Sequence, residues 1–185
     1  VRKGSHPIAQ FDGEAAFLSN FWPWNGKVYV ADHPVTYNGV HYKTAEHAFQ
    51  SAKTRFPSQK RMIAAALTPG QAKRYGRRVD LREDWEDVKV SVMRTVLRSK
   101  FEVLALHEKL LATGDRLLIE GNSWGDAFWG AVSMSQMPMT SELADVTMWK
   151  LPPGPNSNLF GENHLGKLLM ELREELRAEA SHPHR

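Results

Sequence analysis

Glu46, Gln50 and Lys53 fall at i, i+4 and i+7 of the run Thr44-Ala45-Glu46-His47-Ala48-Phe49-Gln50-Ser51-Ala52-Lys53, the spacing of one helix face. A carboxylate and an amine two turns apart, bridged by an amide, can do acid/base work or form a covalent adduct through the amine. The same spacing also suits a solvated face with a loose ion pair; Ala48, Phe49 and Ala52 then read as the buried side. A second carboxylate, Asp126, lies in the stretch 121–130, where Gly121, Gly125 and Gly130 permit turns that would set it between Trp124 and Trp129. Aromatic residues bracketing a loop carboxylate either plug the end of a core or hold a planar ligand. Such a carboxylate suits a developing positive charge, such as an oxocarbenium ion, or a ribose hydroxyl.

Smaller groups of residues carry further possibilities. Ser19 and Asn20 sit between apolar neighbours ahead of Pro23, as a turn or as donors and acceptors for a substrate. Arg74, Arg77, Arg78 and Arg82 gather positive charge, either as a solvated patch or as guanidinium forks aimed at phosphate. The run Asn163-His164-Leu165-Gly166-Lys167 opens a helix whose free N–H groups favour an anion. The sequence has no P-loop or dinucleotide glycine pattern, no Gly-x-Ser-x-Gly elbow and no His-Glu-x-x-His. The eight histidines are scattered, and the close pair among them, His41 and His47, reads as a turn residue and a helix-surface residue; there is no cysteine, so neither a metal site nor a thiol nucleophile is expected.

These groups need a scaffold. With 185 residues, 42% hydrophobic and 24% charged, the chain reads as one soluble domain with a proper core. A net charge of +3 tolerates an anionic ligand without demanding nucleic acid. No apolar run is long enough to span a bilayer, and the first residues lack the apolar core of a signal peptide, so a cytoplasmic protein is expected. The chain starts at Val1 without an initiator Met, which reads as trimming, excision from a longer protein or a cloning scar.

Residues 17–42 read as β structure, with a strand at Lys27–Val30 and a hairpin turning at Asn38-Gly39. Thr44 caps the first helix and Pro57 ends it; Ser58 caps a second helix through Leu67; Thr68-Pro69 opens a third that stops at Gly76. Asp84 caps the longest helix, whose apolar stripe is Trp85, Val88, Val92, Met93, Val96, Leu97 and Phe101. A helix through Leu106 and Leu110 follows, then a buried strand over Arg116–Glu120. Asn163 caps a last helix with Leu165, Leu168, Leu169, Leu172 and Leu176 inward. The class is α+β, a single mainly helical domain with a small hairpin or sheet. Its expected limits are an N-terminal extension over 1–16, a catalytic domain over 17–176, and a frayed tail over 177–185.

Leu18-Ser19-Asn20-Phe21, the helix 44–53, Thr68-Pro69 through Gly76-Arg77, Asp84-Trp85-Glu86, Trp124-Gly125-Asp126-x-Phe128-Trp129-Gly130 and Asn163-x-Leu165-Gly166-Lys167 occur in one order. In that order they resemble the NADAR superfamily of YbiA-like N-glycosidases, over roughly residues 17–173. The stretch from about 131 to 162 is longer than that family's usual connection and suits a lid or a partner surface. The resemblance implies cleavage of a ribose C1′–N bond without metal or cofactor. Its implied substrate is ADP-ribosylated guanine in nucleic acid, or else phosphoribosylated intermediates of riboflavin synthesis. A module that binds ADP-ribose or NAD without hydrolysis is the reading of a different class. By the same matching, Glu46, Lys53, Trp85 and Asp126 are the implied catalytic residues. Ser19, Asn20, Phe21, Gln50, Arg78, Trp124, Trp129, Asn163 and Gly166 are the implied substrate-binding residues.

Overall fold

The computed structural model describes residues 6–133 and 159–181. The chain forms two compact units: Ala16–Ala112, and a second built from the residues through Ala15 together with those from Thr113 onward. The α+β class expected from the sequence is the class observed, with helices dominant and two small sheets.

In the first unit, β1 (Val35–Tyr37) and β2 (Val40–Tyr42) pair antiparallel around Asn38 and Gly39. Both turn residues have positive φ, 49° and 74°, as this two-residue turn requires. Five helices follow: α1 (Ala45–Ser51), α2 (Pro57–Ala64), α3 (Pro69–Gly76), α4 (Trp85–Lys100) and α5 (Leu104–Ala112). The stripe on α4 is inward as its period predicts, with Val92, Met93, Val96, Leu97 and Phe101 at 5% exposure or less. Each such side chain contributes about 1.5–3 kcal/mol by leaving water. α1 is short and central. It touches α2, α3, α4 and both strands, and every one of its residues is buried.

That centrality changes the reading of the polar stripe. No face of α1 is solvated, so its polar side chains must find partners inside the protein. α1 also ends earlier than expected. Ser51 is its last residue, and Pro57 opens α2, in the first-turn position where its missing N–H costs nothing. Phe56, not Ser58, precedes that helix, which stops at Ala64 and falls short of Leu67. Thr68 caps α3 as expected, its hydroxyl accepting from the Gln71 N–H, while Gly76 is the last helical residue. Lys27–Val30 is not a strand. The Asn25 side chain accepts from the Lys27 and Val28 N–H groups, which withdraws them from a ladder and leaves a single bridge between Trp24 and Tyr29.

The second unit carries β3 (Gly121–Asn122), β4 (Ala131–Ser133) and β5 (Leu159–Phe160), in spatial order β3-β4-β5, and α6 (His164–Ser181). β4 runs parallel to β3 and antiparallel to β5. The five leucines read from the sequence form the buried face of α6, and the helix continues through Ser181, past the point where fraying was expected. Arg116–Glu120 is buried in part but, among the described residues, makes a single bridge, Leu118 to Ile8. The Asn163 side chain stands where a neighbouring strand would be, donating to the Leu118 carbonyl and accepting from the Glu120 N–H. Residues 6–15, all but the last residue of the described part of the stretch read as an extension, belong to this unit: the Ile8 N–H donates to the Leu117 carbonyl, and the Ile8 carbonyl accepts from the Ile119 N–H. Most of the 131–162 stretch lies outside the described residues.

Candidate active site

The site in the first unit starts at the cap of α1. The Thr44 hydroxyl accepts from the His47 N–H, and the backbone N–H of Glu46 donates to the Asn20 carbonyl at 3.0 Å. These two contacts set where Glu46 enters the helix. Glu46 is 6% exposed, and Gln50 Nε2, one turn on, donates to its Oε1 at 2.7 Å. The expected i, i+4 pairing is therefore present, but as a buried amide–carboxylate bond.

Lys53 lies just past the end of α1, in a turn held by its N–H to the Gln50 carbonyl and by its carbonyl accepting from the Arg82 N–H. Its Nζ is 5.9 Å from the Phe49 ring centre and 5.8 Å from that of Trp85. The two rings meet each other at 5.1 Å, tilted by 56°. Burial against these apolar faces pushes the Lys53 amine below the ordinary lysine range. The Glu46 carboxylate pulls it up, and Lys73 and Arg77 push it down, but desolvation is the largest cause. Glu46, Gln50, Lys53 and Trp85 are thus brought together around one helix.

Trp85 is 5% exposed and is the first residue of α4. Asp84 before it makes no side-chain cap. Arg82 takes its carboxylate with Nε at 2.6 Å and Nη2 at 2.8 Å, and Arg55 adds contacts at 3.3 Å. That pairing, with the Arg82 hydrogen bond first, holds the Asp84 carboxyl below the usual carboxylate range. It also takes Arg82 out of the set of arginines read as phosphate ligands, whereas Arg74, Arg77 and Arg78 are exposed.

Asn20 is nine-tenths buried. Its amide donates to Met93 Sδ at 3.4 Å, and its Oδ1 has no hydrogen-bond partner among the described residues. The Ser19 hydroxyl accepts from the Phe21 N–H, which is the turn reading of that residue, and Phe21 is half-buried.

In the second unit, Asn122 organises the Trp-rich loop. Its Oδ1 accepts from the Asp126 N–H, while its Nδ2 donates to the Asp126 carbonyl at 2.8 Å. Asp126 Oδ1 accepts from the Trp129 N–H at 2.9 Å. Trp124 is 64% exposed and so does not wall Asp126 in; Trp129 is half-buried, 5.0 Å from Phe128 and 6.2 Å from the His164 ring. Asn163 is 1% exposed with both amide atoms engaged by backbone, so its side chain does not cap α6. A Cβ on Gly166 would stand 2.2 Å from the Leu118 carbonyl oxygen, which makes this glycine a close-packing residue.

His47, expected on the helix surface, is fully buried instead, because α1 has no solvated face. Its Nε2 donates to the Ala66 carbonyl at 3.2 Å; Nδ1 therefore accepts from the Thr44 hydroxyl at 2.8 Å. Burial pushes its pKa down to about 4. The unfolded chain, near 6.5, binds the proton first, so His47 contributes stability at neutral pH that is lost as pH falls from about 6.5 through about 4. The loss amounts to roughly 3 kcal/mol at most. Denaturant unfolding at pH 7.5 and 4.5 is expected to show most of it in the wild type and little in His47→Gln.

The NADAR domain matches residues 9–177 of this chain. An N-glycosidase of Nostoc punctiforme is 36% identical over 168 residues, covering 86% of this chain and 85% of that protein. N-glycosidase YbiA of Escherichia coli is 35% identical over 165 residues, covering 88% and 82%. The solution structure of E. coli YbiA aligns with a TM-score of 0.69 at 32% identity, covering 98% of this chain and 92% of that one. Likeness at this level along nearly the whole length defines a glycosidase, a hydrolase of the N-glycosidic class. The chain belongs to the NADAR family. No helix among the described residues is long and apolar enough to cross a membrane.

Proposed function

We propose that this N-glycosidase removes ADP-ribose from ADP-ribosylated guanine in nucleic acid, by cleaving the ribose C1′–N bond. One observation carries the reading: an amine lying over two packed aromatic rings, its pKa depressed by that burial, stands beside a buried carboxylate that an amide fixes in place. Glu46 gives a proton to the leaving nitrogen. The neutral Lys53 amine attacks C1′ as the C1′–N bond breaks, and the base departs carrying that proton; the C1′–O4′ bond then opens, an amine proton passes to O4′, and C1′ is left as a protonated imine of Lys53. Water then hydrolyses the imine, returning the amine to Lys53 and the proton to Glu46 and leaving free ADP-ribose. Exposed Arg74, Arg77 and Arg78 are suited to the phosphates, and the unpartnered Asn20 Oδ1 to a hydroxyl or amino donor of the substrate.

A second reading, hydrolysis of phosphoribosylated riboflavin-pathway intermediates, draws on one relative. A riboflavin biosynthesis protein of Vibrio vulnificus is 31% identical, and the match spans 91% of this chain but 38% of that protein. Both substrates place a phosphorylated ribose on a nitrogen heterocycle, so the same side chains would serve. Incubation with ADP-ribosylated guanine DNA and with the riboflavin intermediates, with products read by mass, separates them. Free ADP-ribose from the DNA is the expected result. Release of ribose phosphate from the riboflavin intermediates alone overturns the first reading in favour of the second. Asp126→Asn run alongside tests the second unit's carboxylate, and a loss of turnover is expected.

A further inference from the structure

Gly76 closes α3 with no positive φ, so its backbone alone does not call for glycine. Glycine weakens a helix relative to alanine, and its presence here needs a spatial reason. That reason is Gln50. A Cβ on Gly76 would lie 1.9 Å from Gln50 Oε1, 2.8 Å from its Cδ and 3.0 Å from its Cβ. Gln50 is 4% exposed, so its amide has no solvent to swing into. Its Oε1 has no hydrogen-bond partner among the described residues, while its Nε2 is the donor to Glu46. An amide left with an orphan acceptor is held by packing, and the packing wall is the bare Cα of Gly76. Gly70, on the same helix, is different: a Cβ there would meet nothing closer than Thr68 Oγ1 at 3.9 Å.

We propose that Gly76 is a positioning residue for Glu46, acting through Gln50: its missing side chain is what lets the Gln50 amide lie against the last residue of α3 and donate to the carboxylate. The catalytic meaning of this rests on Glu46 as the acid of the proposed function. The contact itself is testable without it. The variants are Gly76→Ala, Gln50→Ala, the double variant, and Gly70→Ala as control.

In thermal melts, Gly76→Ala is expected to lower Tm, and adding Gln50→Ala to restore part of it, because the clashing side chain is gone. A double variant no more stable than Gly76→Ala overturns the proposal, even if Gly76→Ala folds poorly. In NMR spectra, the Gln50 side-chain amide is expected to shift on Glu46→Gln in the wild-type background and not in Gly76→Ala. A shift in both backgrounds overturns it as well.

On ADP-ribosylated guanine DNA, Gly76→Ala and Gln50→Ala are each expected to lose about tenfold or more in turnover, as for a bond to a charged group. The double variant should lose no more than Gln50→Ala alone, and Gly70→Ala should match the wild type. Losses that multiply in the double variant count against the coupling. Wild-type turnover by Glu46→Gln would instead remove the catalytic reading, and the melts and spectra would still decide the contact.

Discussion

Glu46→Gln is expected to lower kcat by about 10²–10⁴-fold, the usual contribution of a positioned acid or base. The substitution keeps shape and volume, and the new amide oxygen can still accept from Gln50 Nε2, so folding should survive. What is lost is the proton that the leaving nitrogen needs. Single-turnover rates with the folded variant measure the effect, with circular dichroism and melting as controls. Wild-type rates from a folded variant would assign the proton transfer to another group.

Lys53→Met is expected to abolish detectable turnover, since it keeps the aliphatic packing against Phe49 and Trp85 and removes the amine. Lys53→Arg should not rescue it, because a guanidinium stays protonated and cannot form an imine. The pH dependence carries a sign. In Glu46→Gln no acid titrates and the neutral amine is the nucleophile, so residual turnover should rise with pH through the Lys53 pKa, which burial sets below the ordinary lysine value and loss of the Glu46 carboxylate lowers further. In the wild type Glu46 must also carry its proton, so turnover is expected to fall again at high pH. Borohydride added during turnover of ADP-ribosylated guanine DNA should leave an ADP-ribose adduct on the peptide containing Lys53. Failure to trap an adduct, together with an active Lys53→Arg, would reduce Lys53 to an ion-pair and phosphate contact.

Several parts of this arrangement were legible before any coordinates. The α4 and α6 stripes obey the helical period because one face of each meets a core, and that face is written in apolar spacing. The Asn38-Gly39 turn and the Thr44 and Thr68 caps are likewise local, since a turn or cap depends on the residues within it. The false strands share one cause. At Lys27–Val30 and at Arg116–Glu120 an asparagine side chain, Asn25 or Asn163, takes backbone groups that a ladder would have used. From Asn163 to Leu118 that contact spans 45 residues, beyond the reach of any local pattern.

By itself, the order of residues determined the α+β class, the family resemblance and the i, i+4 pairing of Glu46 with Gln50. Only tertiary structure decided what that pairing means. Helix periodicity says that two side chains share a face and is silent on whether the face meets water. Here α2, α3, α4 and the hairpin pack against α1 and all its residues are buried, so the stripe is interior and His47 is neutral. The chain turns just before Lys53, and its amine therefore lies over Phe49 and Trp85, where desolvation outweighs the carboxylate that opposes it. The amine's acidity is a property of that enclosure, because desolvation depends on neighbours in space and not on spacing along the chain.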